Sequence, residues 1–250
     1  MNNTIKKILQ FIASKLIPAF PYPVLKGSLK GTKIIHGALG GPSGGASVYF
    51  DLIENKQTSE FLKQVKEGDI VFDIGANVGY YTILASKIVG ANGKVFSFEP
   101  VVRNLTFLYR HIILNKLSNV IVLPLACADE SSLKMFSFGR TIAEGHLIDD
   151  VSPRNFNFLS FTYVHTTRLD EFCKYSNIKP GIIKIDVEGA ELQVLKGAEQ
   201  TLLKSKPKIF LSIHSAILEK DCIDYIKSMG YNTVLLDEKE RPSVEYYCYK

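Results

Sequence analysis

The sequence predicts an α/β fold, with helices on both faces of a mainly parallel sheet. Three observations carry that expectation. Short apolar runs alternate with helix-compatible stretches from about residue 57 onward, and strands alternating with helices imply parallel strands covered on both faces. The 250 residues are 46% hydrophobic and 22% charged with a mean hydropathy of +0.07, enough apolar material for one sizeable core. Four of the five strand exits carry a carboxylate, which suits a ligand site outside the carboxyl ends of a parallel sheet.

The chain opens on a basic, apolar leader, residues 1–47. Lys6, Lys7, Lys15, Lys26, Lys30 and Lys33 precede the first acidic residue, Asp51. Of the 30 basic residues this leaves 24 against all 25 acidic ones in the remaining body. A near-neutral body does not indicate nucleic-acid binding, which needs clustered positive charge. Residues 5–17 read as a helix stopped before Pro18, with Ile5, Ile8, Leu9, Ile12 and Leu16 on one face. Its lysines leave too short an apolar run to cross a bilayer, and no small-residue cleavage site follows. The helix therefore packs on the body or on another subunit of a homo-oligomer, or residues 1–24 lie on an anionic membrane with Phe20 and Tyr22 as anchors. Residues 37–47 are glycine-rich without the Gly-Lys-Ser/Thr ending of a phosphate cradle, and read as a loop.

The second unit, residues 48–250, supplies the alternation. Gln57–Lys66 reads as helix, Ile70–Ile74 as strand, Tyr80–Val89 as helix, Lys94–Glu99 as strand, Val102–Asn115 as helix and Val120–Pro124 as strand. An irregular middle follows. Then come Gly181–Asp186 as strand, Glu188–Lys204 as helix, Lys208–His214 as strand and Ile217–Met229 as helix, before a hairpin of Tyr231–Leu236 and Val244–Tyr249. The four cysteines form no C-x-x-C pair, so a reducing, cytoplasmic compartment is expected, membrane-peripheral if the leader docks.

The strand exits carry the chemistry. They are Asp73-Ile74-Gly75-Ala76-Asn77-Val78-Gly79, Glu99-Pro100, Ala126-Cys127-Ala128-Asp129, Asp186-Val187-Glu188-Gly189 and His214-Ser215. Counted from Gly75, a dinucleotide fingerprint needs glycine where Asn77 and Tyr80 stand, so that cofactor class fails. Asp73, Gly75 and Gly79 match instead the Asp-x-Gly-x-x-x-Gly motif of S-adenosylmethionine (AdoMet) methyltransferases. Glu99 suits a pair of ribose hydroxyls, because a carboxylate accepts two hydrogen bonds.

Two longer blocks sharpen this. Residues 68–82 (Gly-Asp-Ile-Val-Phe-Asp-Ile-Gly-Ala-Asn-Val-Gly-Tyr-Tyr-Thr) and 183–191 (Ile-Lys-Ile-Asp-Val-Glu-Gly-Ala-Glu), continuing to Leu195-Lys196-Gly197-Ala198, resemble the signature blocks of the FkbM family of AdoMet-dependent methyltransferases. The resemblance covers about residues 48–235, without the 139–161 segment. It implies a Rossmann-like, seven-stranded sheet with the last strand antiparallel. It also implies O-methylation of a hydroxyl on a sugar, polyketide or similar small molecule.

The expected donor site comprises Asp73, Gly75, Ala76, Asn77, Gly79, Glu99 and Pro100, with Asp129 as acceptor for the adenine amine and Asn104 as a weaker candidate. Asp73 or Asn77 can alternatively cap the following helix. At the acceptor, Asp186 is the expected base or orienter of the hydroxyl, Glu188 shares that work or caps a helix, and His214 is a further base candidate with a suitable ordinary pKa. Glu191 reads as a helix-face residue. Asp186, Glu188 and His214 are also ligand types for a divalent cation, but no spacing demands one and no metal is assigned. Residues 139–161 break the alternation and are long for a connection, which makes Arg140, His146, Asp149 and Asp150 candidate substrate contacts. The rival readings are methylation of nitrogen or of a macromolecule, and a non-catalytic AdoMet-fold binding module.

Overall fold

The computed structural model describes residues 18–38, 46–49, 56–138, 145–148, 161–237 and 243–250. Pro21–Pro23 (β1) and Lys33–Ile35 (β2) form an antiparallel hairpin. Ile35 donates its N–H to His111 Nε2 (2.9 Å) and Lys33 donates to Asn115 Oδ1 (2.7 Å), which fastens the hairpin to the body. Val24, Leu29 and Ile34 are buried in the same cluster as Phe61 and Val71. Tyr22 packs edge-on against Tyr49 and His36, whereas Phe20 is exposed. The helix expected over residues 5–17 lies outside the described residues, as does the 39–45 part of the glycine-rich stretch.

Ala46–Tyr49 (α1) and Lys56–Gln64 (α2) lead to the first parallel strand, Ile70–Ile74 (β3). Tyr80–Val89 (α3), Lys94–Phe98 (β4), Val102–Leu114 (α4) and Val120–Leu123 (β5) continue the alternation. Ala126–Cys127 (β6), Leu133–Phe138 (β7), Gly145–Ile148 (β8) and Phe161–Thr167 (β9) follow, then Leu169–Ser176 (α5) and Ile182–Ile185 (β10). Glu191–Gly197 (α6), Glu199–Ser205 (α7), Lys208–Ile213 (β11), Ala216–Ser228 (α8), Asn232–Asp237 (β12) and Val244–Tyr249 (β13) complete the described elements.

The seven-stranded sheet runs β12-β13-β11-β10-β3-β4-β5. Every pairing from β11 to β5 is parallel, and β13 runs antiparallel between β11 and β12, as the resemblance implied. Alternate residues feed two cores. Phe72, Ile74, Ile183, Ile185, Ile209 and Leu211 face one; Val71, Val95, Ile182 and Phe210 face the other, under α2 and α3. Strand order reverses between β3 and β10, and the crevice outside their carboxyl ends is where such sheets bind ligands.

Two expectations are corrected. The middle is not irregular: β6, β9, β7 and β8 form a four-stranded sheet in that order, hidden from sequence reading because β6 is two residues long. The expected helix Glu188–Lys204 is two shorter ones. Glu188 (φ 54°) and Gly189 (φ 108°) are left-handed, so helix begins only at Glu191, and it breaks again at Ala198 (φ −109°).

Candidate active site

The turn after β3 is built around one close approach. Gly75 has φ +78°, and a Cβ there would lie 1.9 Å from the Asp186 carbonyl oxygen. Only glycine lets the ends of β3 and β10 come this near, an approach closed by the bond from Asp186 N–H to the Ile74 carbonyl (3.0 Å). Gly75 and Ala76 both donate to the Phe98 carbonyl, which ties the same turn to β4. Gly79, at φ 96°, precedes α3.

Glu99, 4% exposed, ends β4 with both oxygens fixed by the backbone. Asn77 N–H donates to Oε2 (2.7 Å), while Val101 N–H (2.8 Å) and the Asn104 amide (3.3 Å) donate to Oε1. Burial raises its pKa, and these three bonds oppose the rise. Gly75, Asn77, Glu99, Pro100 and Asn104 form one wall of a cleft. Asp186, Val187 and Glu188 line it as well, and Cys127, Phe136 and Leu147 add apolar surface. Phe136 and Leu147 come from the second sheet.

Five of the expected residues do not line this cleft. Asp73 is turned into the sheet–helix interface, where Thr82 Oγ1 donates to it (2.6 Å); burial lifts its pKa to about 6 against that bond and the Lys184 charge. It supports the turn from beneath. Ala76 packs with Leu105 and Leu108, and Gly79 sits at the helix start. Asp129 is not among the lining residues; its backbone carbonyl accepts from the Arg168 guanidinium, and β6 offers the apolar Ala126 and Cys127 to the cleft instead. His214 lies behind Asp186 and Glu188.

The acceptor side is a charge cluster. His214 Nε2 is 3.5 Å from both Asp186 Oδ1 and Glu188 Oε2, and its Nδ1 is 2.8 Å from Glu191 Oε1. Glu191 is fully buried, not a helix-face residue, and its Oε1 also accepts the Gly189 N–H (3.0 Å). Burial pulls the His214 pKa down, but the Glu191 hydrogen bond and the charges of Asp186, Glu188 and Glu191 outweigh it and raise the value to about 9. The three acidic neighbours thus favour the protonated ring, and His214 is placed behind the cleft residues Asp186 and Glu188. Donor atoms of Asp186, Glu188 and His214 all lie within 4.8 Å of one another, and a cation there would have to displace the proton that the ring holds.

Sequence reasoning missed Lys184. It is 1% exposed inside β10, with Nζ 3.1 Å from Asp186 Oδ2. The signal was a lone charge in Ile-Ile-Lys-Ile, a strand otherwise buried on both faces. Within 139–161, Arg140, Asp149 and Asp150 lie outside the described residues, as does the side chain of His146, although its backbone pairs with Ser137 in the second sheet.

The Methyltransferase FkbM domain matches residues 73–233 of this chain. The chain belongs to the FkbM methyltransferase family. A curated relative of this FkbM methyltransferase is the hexuronic acid methyltransferase AglP of Haloferax volcanii, 29% identical over 173 residues, 69% of this chain and 67% of the relative. Among solved structures, the methyltransferase FkbM of Methylobacillus flagellatus superposes with a TM-score of 0.58 at 19% identity. That alignment covers 99% of this chain but 60% of the other, so the chain spans well under two thirds of that protein. A Streptococcus mutans methyltransferase-class protein, solved with S-adenosylhomocysteine, superposes at 0.51 with 11% identity over 78% of this chain and 97% of its own. At these identities the likeness shows a shared fold.

Residues 73–233 thus carry the domain of a methyltransferase family whose donor is AdoMet. The lining of the cleft fits that donor: Glu99 brings to it a carboxylate able to accept from a diol, beside the turn residues Gly75 and Asn77. No helix among the described residues is long and apolar enough to cross a membrane.

Proposed function

We propose that this FkbM methyltransferase methylates a hydroxyl oxygen of a sugar or similar polyhydroxyl small molecule. The observation that carries the reading is Asp186. Its side chain is 39% exposed and lines the same cleft as Glu99, with one oxygen toward Lys184 and the other toward His214. AdoMet supplies an already activated methyl group on a sulfonium, so no covalent enzyme adduct is required. What falls to the protein is placement of the acceptor and removal of its proton. Asp186 accepts that proton, which becomes more acidic as the oxygen gives up electron density in the transition state. Glu188 takes part in holding the acceptor's remaining hydroxyls, and Glu99 holds the donor's ribose. The hexuronic acid methyltransferase among the relatives supports a carbohydrate acceptor.

The test is transfer from AdoMet carrying a ¹³C methyl group to a panel of free, nucleotide-linked and lipid-linked sugars, uronic acids and amino sugars. The expected product has a methyl ether resonance on a sugar carbon. A methyl amine, a methyl ester, or stable AdoMet binding with no transfer to any member overturns the proposal.

A further inference from the structure

A polar row crosses the sheet on the face covered by α2 and α3. Ser97, Asp73, Lys184, Ser212 and Glu245 come from five different strands, and each replaces an apolar residue where its neighbours are buried. Asp73 is opposite both Ser97 and Lys184 in register, and Ser212 is opposite Glu245. Lys184 is the cation at its centre. An ammonium in such a place must be fully paired to be tolerated. It has three protons and three oxygens within reach: Asp186 Oδ2 and Ser212 Oγ, both at 3.1 Å, and the Ile185 carbonyl at 3.4 Å. The Tyr81 ring lies below it, 4.9 Å from the nitrogen to the ring centre.

We propose that Lys184 is a positioning residue of the acceptor site, setting the orientation of the Asp186 carboxylate without itself reaching the cleft. This rests on the reading of Asp186 as the group that takes the acceptor's proton. Two of the three oxygens around Nζ are fixed by the sheet. The Ile185 carbonyl is backbone, and Ser212 is held in turn by donating to Glu245 Oε2 (2.7 Å). Glu245 also accepts from Gln57 and from Ser243 Oγ, so α2 and the strap before β13 brace the same chain of bonds. Asp186 is the one of the three partners that lines the cleft, and its side chain is the most exposed of them. The ammonium therefore transfers the rigidity of β10 and β11 to a single oxygen, Oδ2. With Lys184 removed, Asp186 has an alternative partner: the imidazolium of His214, 3.5 Å from Oδ1, can draw both oxygens away from the cleft. A lysine serving only to stabilise the sheet would cost stability when replaced but leave Asp186 where it is. A lysine that aims Asp186 would not.

The experiment compares Lys184→Met, Lys184→Gln, Asp186→Asn and the Lys184→Met/Asp186→Asn double variant, with AdoMet titrated calorimetrically into each. Misplacing the base by an ångström or so is expected to lower kcat about a hundredfold in Lys184→Met, with AdoMet affinity and acceptor KM nearly unchanged. Lys184→Gln, which retains an N–H donor for Asp186, should recover most of that loss. In the Asp186→Asn background the Lys184→Met change should cost under about threefold more, because residues acting through one another are not additive. A fully additive second loss overturns the positioning role while leaving the reading of Asp186 intact. Wild-type turnover by Asp186→Asn overturns that reading itself. A readout independent of turnover is the crystal structure of Lys184→Met, or of Lys184→Gln if the methionine variant does not fold. Asp186 should leave its wild-type rotamer in the methionine variant and keep it in the glutamine variant. An unmoved Asp186 in the former, or a displaced one in the latter, overturns the proposal.

Discussion

Replacing Gly75 by alanine tests whether the close approach of β3 and β10 sets the site. The added Cβ would lie 1.9 Å from the Asp186 carbonyl oxygen and 2.8 Å from its carbonyl carbon. Contacts of a real Cβ essentially never fall under 3.0 Å, so the strand ends must part by roughly 1 Å. Both atoms are backbone, and no rotamer change relieves the clash. The bond from Asp186 N–H to Ile74, now 3.0 Å, stretches with it, at a cost of about 1 kcal/mol. The left-handed φ of +78° adds about 1–2 kcal/mol for a residue with a side chain. Together these give roughly 2–3 kcal/mol, a fall in Tm of about 4–12 °C for a chain of this size. The same displacement shifts Asp186 relative to the turn at Gly75–Asn77, and a rate loss of about a hundredfold should follow. Gly68→Ala is the control: its φ is +85° but nothing lies within 4 Å of the added atom, so it should show the backbone cost alone. Calorimetric melting and steady-state kinetics on both variants read the difference. Equal melting shifts with undiminished kcat in Gly75→Ala would refute the reasoning.

Three further outcomes are expected. Glu99→Gln puts an NH₂ against either the Asn77 or the Val101 N–H, and losing one such acceptor costs about 1–3 kcal/mol; AdoMet affinity by calorimetry should fall about ten- to hundredfold, and unchanged affinity would contradict the role. His214, raised to about 9, binds its proton more tightly folded than unfolded. Its stabilising contribution is therefore complete below about pH 6.5, its ordinary value, and is lost as pH rises toward 9; Glu191→Gln should lower the NMR titration midpoint of the ring, and a midpoint that stays put contradicts the assignment. His111 is the opposite case. Burial lowers its pKa against the bond to the Val78 carbonyl, so stability falls as pH drops below the ordinary histidine value, and hydrogen exchange at the Ile35 amide, which needs the unprotonated Nε2, should accelerate first.

The parallel half of the sheet was legible because its strands read as short apolar runs, and the central ones, β3 and β10, are buried on both faces and followed by glycine-bearing turns. The donor wall was legible for the same reason: Gly75, Asn77, Glu99 and Pro100 follow directly on those runs. The second sheet was not, since β6 is two residues long and β9 finds its partners far away in sequence, at Leu133–Ser137. Phe136 and Leu147 could not be placed in the cleft without it. Asp73 misled in the other direction. Residue type and spacing mark it as part of the motif, but only the register opposite Ser97 and the Thr82 hydroxyl show which way its carboxylate faces. Glu191 read as a surface helix residue because the helix was started at Glu188, three residues before the left-handed turn releases the chain. His214 was identified by position, and its protonation state depends on three carboxylates gathered from two other segments.

The most direct test of the account is a crystal structure of the protein with S-adenosylhomocysteine. The account predicts the ribose hydroxyls on Glu99, the amino-acid end along the turn at Gly75–Asn77, and the sulfur facing the side of the cleft that holds Asp186. A ribose remote from Glu99, or a sulfur turned away from Asp186, would contradict it.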